Sequence, residues 1–427
     1  MTDLPNSGSA RWGSAAATAN LARRRRSELI LKSAGISAIS IAFLMLFLLV
    51  GSLVSTGWQA FTQTHVTMDF PVRAERIKAE NPAGGNYRAA MQDAMEAALP
   101  DLPAAEARKL AAILSNSAQF TLRDRVVAEP ALIGTTVRLT VPVSDPYDQL
   151  YKGLIDRETP EENRRLKNAE IAAFDALVAA DRITKPVNWA LLSNADSRFP
   201  ELAGLKGALV GSFYALLVCF VISFPLGIGA AIYLEEFAPK NRMSDFIEIN
   251  INNLAAVPSV VFGLLALAVF LNLFGMPRSA PFVGGLTLAL MTMPTIIIAT
   301  RAALKAVPPS IREAALGLGA SRQQVVFQHV LPLAMPGILT GTIIGLAQAL
   351  GETAPLLLIG MNAFITAAPG TPFDAATALP TQIFIWADSP ERGFVSRTSA
   401  AILVLLMFLI AMNAIAIYLR SRFERKW

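Results

Sequence analysis

The sequence predicts an all-α polytopic membrane protein with six transmembrane helices and a soluble α+β insert between the first two. Hydrophobic residues make up 53% of the 427 residues, charged residues make up 16%, and the mean hydropathy is +0.46. These values are typical of proteins that reside in a bilayer. Long charge-free runs alternate with charged segments, and one long polar stretch interrupts them. The chain is therefore predicted to cross the membrane repeatedly and to carry one soluble domain.

The charge-free runs locate the membrane spans, because a charged side chain at the bilayer centre costs about 2.5 to 3.5 kcal/mol. A helix needs about 20 apolar residues to cross the bilayer. We predict spans at residues 36–57, 207–233, 250–274, 282–304, 335–359 and 398–419. The first span lies in a helix at 34–57 after a basic tail at 1–33, and the other five form a C-terminal core at 204–427.

Lysine and arginine residues in the short flanks predict the orientation. Six spans place both termini on one side, which carries sixteen such residues, whereas the other side carries four: Lys206, Arg278, Arg392 and Arg397. Because positive flanks stay in the cytoplasm, both termini are predicted to be cytoplasmic. A long polar tail precedes the first span, so we expect an uncleaved anchor rather than a signal peptide. The arginines at 23–26 are expected to contact anionic membrane lipid.

The insert comprises residues 58–203 and is predicted to be translocated. Residues 86–99, 104–114 and 160–181 have helical periodicity, while residues 135–141 alternate like a strand. A domain of about 145 residues can bury its own core, so a small α+β fold is expected. The DPYD run at 145–148 is interpreted as turn chemistry rather than a metal site.

Several function classes are excluded by composition. The single cysteine, Cys219, cannot form an intramolecular disulfide, and His65 and His329 are too far apart in sequence for a His-rich metal site. No catalytic constellation is recognised, and none of the ten lysines follows a glycine, as a Walker A loop requires. The net charge of +5 follows membrane sidedness rather than one soluble face, so nucleic acid is not an expected partner.

The loop between the fourth and fifth spans, residues 307–333, has an unusual pattern of helix starts and stops. Pro308 and Pro309 end the preceding helix, and Ser310 with Glu313 forms a capping-box pattern that predicts a new helix. Gly317 and Gly319 predict its end. Ser321 and Gln324 repeat the box before a second helix. Ala314, Ala315 and Leu318 are expected to form a small apolar face suited to a groove on a partner.

Glu313, Ala314, Ala315, Gly319, Leu331 and Pro332 in this register resemble the EAA motif of binding-protein-dependent ABC importer permeases. In that family the loop is a coupling helix that docks on the ATPase subunit, so the resemblance implies an ATPase-coupling role for these residues and for Leu318. One position departs from the family pattern, since His329 replaces a residue that is commonly apolar.

Two further strings, NLAAVPSVVFG at 253–263 and ALGETAP at 349–355, resemble phosphate permeases of the PstA type. The resemblance covers about half the chain, and it implies a bacterial inner-membrane protein with a five-helix permease core. It also implies a second homologous permease, a dimer of ATP-binding subunits that holds ATP and Mg, a periplasmic phosphate-binding protein, and inorganic phosphate as substrate. No cofactor is expected in this chain. The insert would be an uncharacterised periplasmic extension.

Polar groups within the spans are the candidates for the translocation path. Arg301, near the inner end of the fourth span, is expected either to meet the anion or to extend toward lipid headgroups. Glu352 is expected to pair with a cation, to act in gating, or to form a hydrogen bond between helices. Ser259, Thr295 and Thr353 complete the set, although such hydroxyls often bond their own helix.

The alternative functions are a permease for another anion, a free-standing secondary carrier and a membrane sensor. A permease for another anion, such as sulfate or molybdate, has the same architecture, and sequence distinguishes these substrates poorly. A membrane sensor would need a cytoplasmic output domain, which the predicted topology does not provide.

Overall fold

The computed structural model describes residues 15–423. Of the basic tail predicted at 1–33, residues 1–14 with Arg11 lie outside the described residues, as do Arg425 and Lys426 at the other terminus. Among the described residues, five helices are long and apolar enough to cross a membrane, and a bent helix pair is the sixth candidate. The predicted fold class, helical and polytopic with a few strands, is confirmed.

Seventeen α-helices and three strands are present in the described part of the chain. The helices are α1 Ala15–Gly57, α2 Tyr87–Ala98, α3 Ala104–Lys109, α4 Ser117–Ala128, α5 Asp145–Tyr151, α6 Asn168–Ala179, α7 Ala190–Ser193, α8 Lys206–Ile232, α9 Arg242–Ala255, α10 Ser259–Ala266, α11 Pro281–Lys305, α12 Pro309–Gly317, α13 Arg322–Gln324, α14 Leu331–Gly351, α15 Ala354–Leu358, α16 Leu379–Ala387 and α17 Gly393–Phe423. The strands are β1 His65–Pro71, β2 Thr136–Pro142 and β3 Ile183–Thr184.

Helix α1 contains the first predicted span. It is 43 residues long, which corresponds to about 65 Å at 1.5 Å per residue and exceeds the thickness of a bilayer. Large apolar side chains along it, such as Leu31 and Phe47, are exposed. Exposed apolar side chains of this kind are suited to contact with lipid acyl chains.

The insert has its own hydrophobic core around a three-stranded antiparallel sheet with strand order β2-β1-β3. Side chains of β1 alternate, so that Val66, Met68 and Phe70 are fully buried. Helices α2, α4 and α6 cover these residues, with Phe174 of α6 also fully buried. The α+β architecture expected from the sequence is therefore present.

Two expectations for the insert are wrong. The helix predicted at 160–181 occupies only Asn168–Ala179, because Lys167 is extended and its backbone N–H donates to Glu170 Oε2, which starts the helix there. The DPYD run is not an exposed turn but the first turn of α5, in which Asp145 and Asp148 are buried.

The C-terminal core is built around α11, which packs along α8 on one side and along α14 on the other. The small residues of α14 permit this approach: a Cβ on Gly337 would lie 2.7 Å from Ala303 Cβ, and one on Gly341 would overlap Ala299 Cβ. Without a hydrophobic driving force between helices in lipid, such close packing is a main source of helix association.

The third predicted span, 250–274, is not one straight helix. Helix α9 and the segment Ser259–Leu273 meet at an angle of 99°. Pro258 explains the break, because its ring would clash with the carbonyl four residues earlier and it lacks an N–H to donate. The Ser259–Leu273 arm ends in a π-helical segment, Leu267–Leu273.

The fifth predicted span, 335–359, is also interrupted. Helix α14 ends at Gly351, Glu352 is extended, and the short helix α15 follows from Ala354. In a continuous helix the ring of Pro355 would clash with the carbonyl of Gly351, which accounts for the position of the break. The sequence had predicted Glu352 inside a helix. In the structure it lies at the end of α14 instead.

The insert and the 307–333 loop lie at opposite ends of α8. At the start of α8, the backbone N–H of Lys206 donates to the carbonyl of Asn194 in the insert, with an N to O distance of 3.0 Å. At its far end, within the π-helical turn Tyr233–Phe237, Glu236 pairs with Arg312 of α12 at 2.9 Å. The loop and the insert therefore face opposite sides of the helix bundle.

Helix α16 was not predicted from the sequence, because its apolar run is short and contains Pro380. It lies on the insert end of the bundle, where Trp386 Nε1 donates to Asp196 of the insert at 3.0 Å. This contact ties the connection between the fifth and sixth spans to the insert.

The glycine packing of α14 leads to a direct test. Gly341→Ala places a methyl group against Ala299 and forces the helices apart, so we expect the free energy of unfolding to fall by about 1 to 3 kcal/mol. Gly229→Ala in α8 is the matched control, because a Cβ there meets nothing within 4 Å. Thermal unfolding in detergent micelles measures both. Equal stability of the two variants would contradict close packing at Gly341.

Candidate coupling loop and translocation path

Helix α12 of the 307–333 loop ends in a glycine-dependent cap. Gly319 has φ +85°, a left-handed conformation that costs other residues about 1 to 2 kcal/mol. The N–H of Ala320 donates to the carbonyl of Ala315 at 3.1 Å, and the N–H of Gly319 donates to Leu316 at 2.9 Å. These two bonds form a Schellman motif, which stops the helix and turns the chain.

The start of α12 differs from the prediction, whereas the start of the next helix agrees with it. Pro308 occupies the N-cap and no side-chain capping bond is formed, so the predicted box of Ser310 with Glu313 is wrong. The capping box of Ser321 and Gln324 is confirmed, with N to O distances of 2.8 and 3.3 Å. From Ser321 onward the chain is helical through a π-helical stretch, Val325–Val330, into α14.

The apolar face expected on α12 is divided between two surfaces. Ala315 is buried against Val325, Val326 and neighbouring residues of the same end of the bundle. Ala314 and Glu313 are exposed, and Leu318 is 90% exposed. An apolar side chain held out by a rigid turn is suited to a pocket on another protein. Leu331 and Pro332 are half-buried at the start of α14, and Leu331 packs against the same hydrophobic cluster as Ala315.

Arg312 fixes α12 to the membrane helices. Its guanidinium donates to Glu236 at 2.9 Å and to the carbonyls of Leu304 and Val307 at 2.8 and 2.7 Å. Both side chains of the ion pair are largely shielded from solvent. A displacement of α12 would therefore act directly on the ends of α8 and α11.

Arg301 is held by two carboxylates at the same end of the bundle. Its Nε lies 3.2 Å from Glu235 and its Nη2 lies 2.8 Å from Glu248 of α9. Lys305 also approaches Glu235, at 3.5 Å. The Arg301 side chain is only 14% exposed, and its ion pairs link three helical segments.

The other four candidate path groups are half-buried and lie away from this cluster. Within residues 15–423, the hydroxyls of Ser259, Thr295 and Thr353 and the carboxylate of Glu352 have no side-chain hydrogen bond or ion pair. In contrast, Thr292 bonds the carbonyl of Leu288 in its own helix. Half-buried polar groups without partners are available to a ligand or to water that enters between the helices.

Arg301 and Glu352 lie at different levels along the helix bundle. Thr295 of α11 packs near Gly345 of α14. From that level, Arg301 lies six residues toward the 307–333 loop and Glu352 lies seven residues toward the insert. At 1.5 Å per residue the two are separated by about 20 Å along the bundle.

The sequence did not indicate the partners of the basic residues at the loop end of the bundle. Glu235 and Glu236 directly follow the second charge-free run, and their pairing with Arg301 and Arg312 joins positions more than sixty residues apart. The only signal was two consecutive carboxylates on a side rich in arginine and lysine.

Comparisons with known proteins agree with this architecture. Residues 223–427 match the family described as "Binding-protein-dependent transport system inner membrane component". Residues 18–161 match a domain of unknown function, DUF3333, which covers α1 and much of the insert.

Three of the relatives each match 40% to 51% of this chain. The probable ABC transporter permease protein YqgI of Bacillus subtilis is 34% identical over 40% of this chain and 58% of its own length. The phosphate transport system permease protein PstA 1 of Mycobacterium tuberculosis is 32% identical over 51% of this chain and 70% of its own. The phosphate transport system permease protein PstA of Yersinia pestis is 33% identical over 50% of this chain and 71% of its own length.

Among solved structures, an inward-facing MetNI methionine ABC transporter is similar at 17% identity and a TM-score of 0.41, over 52% of this chain and 98% of that chain.

The chain is an ABC importer permease that belongs to the binding-protein-dependent transport system inner membrane components. PstA permeases are among its relatives in that family, and the N-terminal part matches a domain of unknown function. The protein is thus a multi-pass transport component of the inner membrane.

The pairing of Arg301 with Glu235 can be measured by a double-mutant cycle. Arg301→Gln and Glu235→Gln are each expected to destabilise the protein, with a coupling energy of about 1 to 3 kcal/mol, because both groups are shielded from water. The exposed pair Lys32 and Glu28 is the control and is expected to show little coupling. The cycle uses unfolding in mixed micelles. Additive effects of the Arg301 and Glu235 substitutions would contradict the link.

Proposed function

We propose that this chain is the permease subunit of an ATP-driven importer of inorganic phosphate and forms half of the translocation path. The observation that carries the substrate assignment is the identity of 30% to 33% with PstA proteins over more than two thirds of their length. The resemblance of ALGETAP at 349–355 to these permeases supports it. A second homologous permease would form the other half of the path.

The proposed mechanism is alternating access driven by a separate ATPase. A dimer of ATP-binding subunits, which holds ATP and Mg, docks on the exposed Glu313, Ala314 and Leu318 of the 307–333 loop. Gly319 sets the shape of the loop, while Ala315, Leu331 and Pro332 support it from within. Movement of α12 passes through Arg312 and Glu236 to α8, and through the continuous helix into α14. A ligand that prefers one conformation shifts its population.

The proposed path runs past the unpartnered polar groups toward the loop end. Ser259, Thr295 and Thr353 can donate hydrogen bonds to phosphate oxygens, and Glu352 marks the helix break at the insert end. A carboxylate repels phosphate, so Glu352 acts in gating or pairs with a cation of the partner permease rather than serving as a ligand. Arg301 lies at the inner end, where release from Glu235 or Glu248 would free a guanidinium for the anion.

The proposed topology places both termini and the 307–333 loop in the cytoplasm. The excess of lysine and arginine on that side supports it, as does the position of the insert at the opposite end of α8. A periplasmic phosphate-binding protein then delivers its ligand at the insert end.

Uptake measurements test the substrate assignment. Deletion of the gene is expected to abolish the ATP-dependent, high-affinity component of radiolabelled phosphate uptake, with sulfate and molybdate uptake unchanged. Expression of the intact chain from a plasmid is the control and restores phosphate uptake. Loss of sulfate or molybdate uptake with phosphate uptake intact would assign the chain to another anion.

The docking role of the loop leads to a separate prediction. Glu313→Lys and Leu318→Glu are each expected to lower transport-coupled ATPase activity by about tenfold, which corresponds to about 1.4 kcal/mol of lost docking energy. Glu80→Lys, an exposed charge reversal in the insert, is the matched control and is expected to leave activity unchanged. ATP hydrolysis by the reconstituted complex is measured with the receptor present. Wild-type activity in both loop variants would contradict docking at this surface.

A further inference from the structure

The insert contains a cavity of about 660 Å³ that lies far from the 307–333 loop. Its walls come from α2, α3, the start of α5 and the segments that precede α6, α8 and α17. The volume is in the range of about 300 to 1,000 Å³ typical of small-molecule sites. None of the candidate path residues lines it.

The lining of this cavity is rich in charge, with an excess of cations. Three carboxylates line it: Asp145, Glu201 and Glu391. Five cationic side chains line it: Arg88, Arg108, Lys109, Arg165 and Arg198. They come from four segments of the insert, since Arg108 and Lys109 are neighbours in α3, so the tertiary fold brings these segments together.

The carboxylates already have partners. Arg165 lies 3.4 Å from Asp145 and 2.8 Å from Glu391. Glu201 accepts a hydrogen bond from Ser115 at 3.0 Å and is influenced by the nearby charge of Arg397. Burial raises the pKa of Asp145 to about 6, even though Arg165 acts in the opposite direction. The negative charges of these three carboxylates are therefore largely balanced by partners within the protein.

The remaining cations of the lining have fewer carboxylate partners. Arg108 binds Glu96 at 2.8 Å. Arg88 and Lys109 have no carboxylate within 4.0 Å anywhere in the stretch from 15 to 423. The guanidinium of Arg198 lies over the ring of Phe364, 5.4 Å from its centroid, and likewise has no carboxylate partner in that stretch. Three exposed cationic residues of the lining thus have no carboxylate partner among the described residues.

The carboxylates of the cavity lie next to the start of the last transmembrane helix, α17. A Cβ on Gly393, the first residue of α17, would overlap the Asp145 carboxylate, so the insert contacts the helix start directly. One turn further, buried Arg397 donates to the carbonyl of Ala203 at 2.8 Å. Glu391, paired with Arg165, directly precedes α17. The cavity and the start of α17 therefore share the residues Asp145, Arg165 and Glu391.

We propose that this cavity binds a small multivalent oxyanion with the size and charge of inorganic phosphate, and that its occupancy is transmitted to the start of α17. Arg88, Lys109 and Arg198 bind the anion, since guanidinium groups recognise oxyanions through paired N–H donors. An anion also attracts Arg165, which weakens its pairing with Asp145 and Glu391 and so changes the support of α17. The site is separate from the translocation path and serves regulation.

Binding to the full-length chain in lipid nanodiscs tests this site. Inorganic phosphate is the probe and chloride is the monovalent reference. Arg88→Gln combined with Lys109→Gln is expected to weaken phosphate binding at this site by about tenfold or more, the loss of about 1.4 kcal/mol or more. Lys78→Gln combined with Arg138→Gln removes the same charge from exposed positions of the insert outside the cavity and is expected to change affinity less than twofold. Equal affinity of the two double variants would overturn the proposal.

Hydrogen exchange provides a second measurement that needs no variant. Phosphate is expected to change amide exchange at residues 391–397 in the wild type and in the control variant, but not in the cavity variant. No change in the wild type would overturn the transmission to α17. If the cavity variant instead fails to capture the periplasmic receptor while its phosphate binding is unchanged, the cavity is a protein contact and the proposal is wrong. Both readouts are independent of uptake, so a failure of the proposed import function is distinguishable.

Discussion

The length of α8 is the constraint on which the rest of the structure depends. With its π-helical end it comprises 32 residues, or about 48 Å at 1.5 Å per residue, more than the hydrocarbon thickness of about 30 Å. The insert contacts its first residue and the 307–333 loop contacts its last turn. One helix thus separates two polar ends of different chemistry, and any signal between them must pass through helices of the bundle.

The two ends are connected to the bundle in different ways. At the loop end, the consecutive carboxylates Glu235 and Glu236 bind Arg301 and Arg312, so the loop, α8 and α11 are joined by shielded ion pairs. At the insert end the contacts also include the last helix, through a glycine at its start and the buried Arg397. Between them, the breaks at Pro258 and Glu352 interrupt the third and fifth predicted spans.

The spans and the loop could be predicted because their signals are local. Charge exclusion from the bilayer locates the helices, and the capping box at Ser321 and the glycine at 319 determine the local turn. The features that the sequence did not predict depend on tertiary structure. The burial of Ala315 follows from packing against the second half of its own loop, and the partners of Arg301 lie on helices distant in sequence. The helix break before Pro355 has a local signal, the proline itself, but a prediction based only on charge-free runs does not detect it.

The central claim is that the 307–333 loop and the insert face opposite sides of the membrane, with the loop in the cytoplasm. Cysteine accessibility tests it most directly, because the single native cysteine, Cys219, is buried. Leu318 is 90% exposed at the tip of the loop, and Arg138 is exposed on an edge strand of the sheet in the insert. Leu318→Cys and Arg138→Cys therefore each introduce one accessible thiol. A membrane-impermeant maleimide is expected to label residue 138 in spheroplasts and residue 318 only in inside-out vesicles. Labelling of residue 318 in intact spheroplasts would contradict the account.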